Sequence, residues 1–422
     1  MQNQLVDILK HKGIGPKGSK QLSTEDISKV RQLLEEPSCN ITTKATLLTA
    51  LLLLEKNTEE ELLVDDLKKN ITNLPSELHF LLNKTSNNAL EKCILSLINC
   101  KDLDEHEAEQ ITPLFLSNET PDFLQASFLE ALRLKRETDT ENRVFYKYFL
   151  ANISRQIIDC EPIIEIGDSF DGVERNFNFN LFTGCILAAL GHKVLLTGNE
   201  TVAPKKGITH HQILIEANKD PFISIEKSID QLHKIGIAYI DQSVFDTKLW
   251  QKTEMRTYMV KRPFLATFEK ILSPICSREG NLVLTSYTHA HYKNANIEIF
   301  KNSPFINKAL NIKGLEGTIH PKANVSTPIL MLENGKVKET SYSFIGKLSD
   351  TDLEVNCNNT LQIGLDFIEK NSNNIAKDYV TNTVCMLLIA LELEEDLDQV
   401  SKKIEEVICN NKVADIWKKM NQ

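Results

Sequence analysis

The stretch LLTGNETVAPKKGITHHQIL, residues 195–214, changes its grammar twice. Val194-Leu195-Leu196 reads as a buried strand. Thr197-Gly198-Asn199 stops it, and Pro204-Lys205-Lys206-Gly207 carries the chain through a turn. An apolar-periodic helix then begins at Thr209. The loop lies at the carboxyl end of its strand, the edge where open α/β sheets bind ligands. Free N–H groups at the helix start, with Lys205 and Lys206 beside them, suit an anion. Thr209 caps the helix or hydrogen-bonds a phosphate, and Gly207 admits a close backbone approach. The alternative is a polar turn with solvated lysines and a capping threonine. His210 and His211 are neighbours pointing roughly 100° apart, so they do not face one metal as an i, i+4 pair would.

Outward from this stretch the same alternation continues. Ile163 to Ile166 is a short strand ending in Gly167-Asp168, and its loop to Gly172 carries Asp168 and Asp171 near Arg175. That loop suits a sugar hydroxyl or a metal, or is a turn of the kind Asp and Gly favour. Leu181 to Leu190 reads as an apolar helix, and 235–240 and 281–286 as further strands. Thr285 to Lys293 is a third strand-end loop with hydroxyls, His289 and His291. Short strands alternating with helices indicate a largely parallel sheet. Residues 375–393 and 398–408 are helical again, and Lys261-Arg262-Pro263 forms a basic site in an apolar segment.

The first 157 residues read as helix throughout, and they repeat. Ser23 to Asp26 opens a face of Ile27, Val30, Leu33 and Leu34; Asp104-Glu105 opens one of Ala108, Ile111, Leu114 and Phe115. At a constant shift of 81, Leu22 falls on Leu103, Ala45 on Ala126, Leu48 on Leu129 and Glu60 on Glu141. The expectation is a helical domain, 1–157, with a duplicated unit at 20–66 and 102–147. An α/β domain follows over 158–422, with helices near 246–257 packing back on the helical domain.

The 422 residues allow two or more domains, and 41% hydrophobic with 25% charged residues is ordinary globular composition. A formal charge of −10 gives no overall field for nucleic acid, so a polyanion site would be a local patch. Lys193, Lys205, Lys206, Lys261, Arg262 and Lys293 would supply it, with the basic Gly-rich arm Lys10 to Lys20. Nine scattered cysteines without a CxxC pair point to reduced thiols in a cytoplasm. No signal-peptide or membrane-spanning run is read, so no membrane partner is expected.

These residues resemble the anthranilate phosphoribosyltransferase family (glycosyltransferase family 3), which shares its fold with type II nucleoside phosphorylases. Leu103 to Thr138 is similar to its helical domain, and Gly198-Asn199 with Lys205-Lys206-Gly207 to its phosphate loop. Arg262 through Leu272-Ser273-Pro274 resembles its Arg-Thr…Leu-Gly-Pro-Leu segment. Lys377 to Asn382 with Asn411 to Ala414 resembles its C-terminal helices. The likeness covers about 100–420, and Lys12-Gly13 to Asp26 resembles the start of the non-biosynthetic paralogues.

The resemblance implies a helical domain joined to an α/β domain with a mostly parallel sheet. It implies a phosphorylated ribose or nucleotide-like ligand in the cleft between them. Gly167, Asp168, Asp171, Gly198, Asn199, Lys205, Lys206, Gly207, Thr209 and Arg262 would line the site. Two motifs depart from the family. Its Gly-Thr-Gly-Gly-Asp diphosphate loop is here Gly167-Asp168-Ser169-Phe170-Asp171. Its Asp-Glu pair for Mg is missing from Gly317 to Asn324, where Lys322 repels a metal and Glu316 substitutes only in part. The reading is therefore a phosphoribosyltransferase-like protein with altered or lost activity, no assigned catalytic residue and weak support for Mg. A non-catalytic nucleic-acid-binding paralogue is the alternative. Pairing through the helical domain makes a homodimer one of the expectations.

Overall fold

The computed structural model describes residues 1–15 and 18–422. Pro16 and Lys17 of the basic arm lie outside the described residues. The chain forms two compact units, Met1–Tyr148 with Gln251–Ala266, and Phe149–Trp250 with Thr267–Gln422. The first unit ends at Tyr148, within the helix Asp139–Asn152, and not at residue 157. Gln156–Ile158, expected as helix, forms strand β1 in the second unit, paired in parallel with β5 (Ile275–Ser277) of the same unit.

The first unit holds helices α1 (Gln2–Lys12), α2 (Thr24–Glu35), α3 (Ile41–Leu53), α4 (Thr58–Lys69), α5 (His79–Asn83), α6 (Ala89–Ile98), α7 (Glu105–Leu116) and α8 (Asp122–Lys135). Helix α9, Asp139–Asn152, starts in it. Helices α2, α3 and α4 begin at 24, 41 and 58, and α7, α8 and α9 begin 81 residues later, at 105, 122 and 139. Local bonds follow the same offset. Ser23 caps α2 through the Asp26 N–H, and Asp104 caps α7 through that of Glu107. The Thr46 hydroxyl bonds the Thr42 carbonyl, and Ser127 bonds that of Phe123, each at 2.8 Å. Helices α3 and α8 pack on each other along their small and aliphatic residues. Phe115, Phe128, Phe145 and Phe264 stack beside them, with Phe115 and Phe128 centroids 4.7 Å apart.

The second unit is built on a seven-stranded sheet. Its strands are β2 (Ile164–Gly167), β3 (Val194–Gly198), β4 (Ile237–Asp241), β6 (Asn281–Ser286), β7 (Ile306–Ile312), β8 (Thr327–Glu333) and β9 (Lys336–Tyr342). Their order is β4-β3-β2-β6-β7-β8-β9. The first five are parallel, and β8 and β9 are antiparallel. Every residue of β2, β3, β4 and β6 is buried, as expected of parallel strands covered on both faces. With β4 at one edge of the sheet, strand β9 is the other. Its Lys336, Lys338 and Glu339 are exposed, which discourages pairing with another chain. The strand read at 235–240 starts at Ile237, because Gly236 at φ +82° closes helix α12 (Ile225–Ile235).

Helix α10 (Asn180–Ala189) packs on the sheet and against the C-terminal helices. Phe182 stacks on Trp417 at 5.0 Å, and a Cβ at residue 364 would lie 2.1 Å from the Phe182 ring, so Gly364 makes that contact possible. Because β2, β3, β4, β6 and β7 run in parallel, the loops after Gly167, Gly198, Asp241, Ser286 and Ile312 leave the sheet along one edge.

Candidate functional site

At this edge the first loop turns back on the protein. The Asp168 carboxylate is buried and accepts from the Ser169 N–H at 2.8 Å, Asn178 Nδ2 at 2.9 Å and the His210 N–H at 2.5 Å. His210 opens the short helix α11 (His210–Glu216). An internal carboxylate thus occupies the amide that the sequence offered to a ligand anion. Burial pushes the Asp168 pKa up, against the pull of His210 and the three donors. Burial also lowers the pKa of His210, whose Nδ1 lies 3.2 Å from the Thr197 carbonyl. The neutral ring donates there, and its Nε2 makes no hydrogen bond but lies 3.5 Å from Asp168 Oδ1.

The second loop also works inward. The Thr209 hydroxyl accepts from the Gln212 N–H and the Gln212 side chain from the Thr209 N–H, so Thr209 is the cap of α11. A Cβ at Gly207 would lie 2.6 Å from the backbone of Val173, and one at Gly172 2.2 Å from Gly207 itself. These glycines let two loops touch, joined by the Gly207 N–H to the Asp171 carbonyl at 2.9 Å. Gly167 meets the Lys270 carbonyl in the same way, and Gly198 abuts the Tyr239 hydroxyl. Asn199 donates to Gln242 Oε1 at 2.8 Å. Lys206 is exposed with φ +55°, while Lys205 points inward. Arg262 lies in the first unit, and the other nine expected site residues lie in the second.

The two histidines diverge. His211 Nδ1 sits 2.8 Å from Asp241 Oδ2, which also accepts the Tyr239 hydroxyl at 3.0 Å. His320 is buried too. Its Nε2 accepts the Phe179 N–H at 3.1 Å and its Nδ1 faces Thr383 Oγ1 at 2.8 Å. Burial lowers its pKa to about 3, so it is neutral.

Three features escaped the sequence reading. Asn180, the first residue of α10, is fully buried, and neither its Nδ2 nor its Oδ1 has a hydrogen-bond partner. The sequence reading starts the apolar helix at Leu181, one residue past it. Asn178 holds Asp168. The third is Glu316, read only as a weak metal ligand. Its carboxylate accepts from the N–H groups of Glu174 at 3.1 Å and Arg175 at 3.0 Å. Asn176 Nδ2 at 3.1 Å and Lys205 Nζ at 2.8 Å complete the set. These donors hold its pKa down at about 2, against the upward push of burial.

Three of the six cations expected to share a patch are engaged separately. Lys205 pairs with Glu316, Lys293 with Glu339 at 2.7 Å, and Lys261 donates to the Lys10 carbonyl at 3.1 Å. Among the described residues no group of three or more His, Cys, Asp or Glu side chains could hold a metal ion. No described helix is long and apolar enough to cross a membrane.

No family model matches the chain. The anthranilate phosphoribosyltransferase of Methanobrevibacter smithii is 24% identical over 251 residues, covering 59% of this chain and 72% of its own length. That of Prochlorococcus marinus (strain MIT 9301) is 22% identical over 343 residues, covering 77% and 93%. The Saccharomyces cerevisiae enzyme, solved with PRPP and Mg, superimposes with a TM-score of 0.64 at 12% identity, over 78% of this chain and 95% of that one. These likenesses support an anthranilate phosphoribosyltransferase-like fold and family resemblance for the chain. In this chain Asp168 fills the start of α11 with a carboxylate of its own.

Proposed function

We propose that this phosphoribosyltransferase-like chain binds a phosphorylated ribose ligand at the carboxyl ends of its parallel strands, with the transfer chemistry of its relatives altered or lost. The observation that carries the reading is Asn180. A fully buried amide without partners costs about 1–3 kcal/mol, so a polar group arriving at the start of α10 has a reason to bind there. Asn199 and Lys205, on the neighbouring loop, are the other polar groups assigned to the ligand. Solved relatives of this fold include one holding PRPP and Mg, which makes that compound the first ligand to test.

Mg does not fit the segment where the resemblance puts it. Residues 317–324 contain no carboxylate, and Glu316 is turned onto two amides, Asn176 and Lys205. Ligand binding is therefore expected to be independent of Mg. Nucleic-acid binding, the other reading, is not favoured, since Lys205, Lys261 and Lys293 have internal partners.

Thermal-shift titration with phosphoribosyl diphosphate, ribose 5-phosphate and nucleotides, with and without Mg, is the experiment. A raised Tm with phosphoribosyl diphosphate, equal in both conditions, is expected. No shift with any of them would overturn the reading.

A further inference from the structure

The four donors around Glu316 form a finished anion site. Two successive backbone N–H groups, an amide NH2 and an ammonium converge on two oxygens, all within 2.8–3.1 Å. Consecutive N–H groups with a lysine above them are the arrangement by which protein backbones hold phosphate. Here a carboxylate from a distant part of the chain fills it. Its side chain is only 4% exposed, and Lys205 is 17% exposed.

Glu316 is mounted outside regular structure. It belongs to no helix or strand and sits in the left-handed region at φ +49°, followed by Gly317 at φ +94°. Its backbone is anchored independently of its carboxylate, because the Ser169 hydroxyl donates to its carbonyl at 3.0 Å. Rotation about its side-chain bonds empties the nest without breaking regular structure. The Arg175 guanidinium, 3.8 Å from the carboxylate and largely exposed, can close over an anion of higher charge. A phosphate dianion would gain from both cations, whereas the carboxylate supplies one charge.

We propose that the nest of Glu174, Arg175, Asn176 and Lys205 is a phosphate subsite closed by Glu316, and that a phosphate monoester or diphosphate group displaces this side chain. The proposal rests on the phosphorylated-ribose reading and adds to it that the ligand competes with a residue of the protein itself. Glu316 is then a latch that sets affinity.

The test is isothermal titration of inorganic phosphate and of phosphoribosyl diphosphate into the parent chain, Glu316→Ala and Glu316→Ala/Lys205→Gln. Glu316→Ala should bind inorganic phosphate about tenfold or more tightly than the parent, and the double variant should lose the gain. Equal phosphate affinity in parent and Glu316→Ala overturns the proposal, even if the parent binds phosphoribosyl diphosphate. If Glu316→Ala gains inorganic phosphate but no form binds phosphoribosyl diphosphate, the subsite stands and the phosphoribose reading falls. Should Glu316→Ala not fold, Glu316→Gln, which sets an NH2 against the nest donors, takes its place. If both fail to fold, Glu316 is structural and the proposal falls.

Discussion

Glu141 in the helical unit and Glu316 at the strand ends are held by the same kinds of donor. Glu141 accepts from the N–H groups of Leu103 at 2.9 Å and Thr138 at 2.7 Å, and pairs with Lys135 at 3.0 Å. Glu60, 81 residues earlier, repeats this with Leu22 at 2.9 Å, Asn57 at 3.1 Å and Lys12 at 2.6 Å. The mounting differs. Glu60 and Glu141 lie in the first turn of the helix they cap, so leaving would unmake the helix start and the loop that docks on it. Glu316 reaches from a turn to a loop some 140 residues away in sequence. The same donor set is architecture in one place and an occupied site in the other. We infer that the helical stretches 20–66 and 102–147 are copies of one unit, with the carboxylate as a shared keystone.

The comparison breaks most easily at Glu141. Glu141→Gln removes the buried partner of Lys135, which keeps only the exposed Asp102 at 2.7 Å, and urea unfolding followed by circular dichroism should show a loss of about 2–3 kcal/mol. Glu60→Gln should cost a similar amount. A loss below about 1 kcal/mol at both positions would remove the keystone role.

Protonation separates the regions next. Unfolded His320 titrates near 6.5, and the folded residue near 3. The folded state binds fewer protons between these values, so stability falls as pH drops from 6.5 towards 3. The loss from this residue should be about 2 kcal/mol at pH 5. Glu316 has the opposite habit. Its folded pKa of about 2 lies below its unfolded value near 4.5. Its contribution is therefore full above pH 4.5 and disappears as pH falls through 2. Urea midpoints at pH 7 and 5 should show a decline in the parent that is smaller in His320→Gln and unchanged in Glu316→Ala.

The smallest effect sharpens the reading of the opening stretch. Lys205 and Lys206 are indistinguishable as letters. Lys206→Ala should leave urea stability within about 0.5 kcal/mol and phosphate affinity unchanged, since its side chain is exposed. Lys205→Ala should alter both. Equal behaviour of the two variants would mean that the loop is only a solvated turn.

Much of the fold was legible because it is written in local periodicity. The apolar strands at 164–167 and 194–198, the helices after Asn180 and Thr209, and the 81-residue shift needed only neighbouring letters. Strands β7, β8 and β9 were missed. The edge strand Lys336–Tyr342 is mostly polar and exposed, so it lacks the buried signature used elsewhere. The site was legible in its loops but not in its connections. Thr209 and Gly207 sit where expected, yet one caps a helix and the other touches Val173. Nothing in the order of residues tells that Asp168 reaches His210 or that Glu316 reaches Lys205. Those are tertiary pairings, and they decide which charges remain for a ligand.

The most direct measurement of the difference between the two mounts is chemical rescue. Glu316→Ala and Glu141→Gln are unfolded in urea with and without inorganic phosphate. Tryptophan fluorescence follows the second unit, which holds both Trp250 and Trp417, and circular dichroism follows the helices. A ligand that binds only the folded state raises the midpoint. Phosphate should restore the midpoint lost in Glu316→Ala and leave that of Glu141→Gln where it was. If phosphate rescues neither variant, or both to the same extent, the strand-end nest is no anion site and Glu316 is one more structural carboxylate.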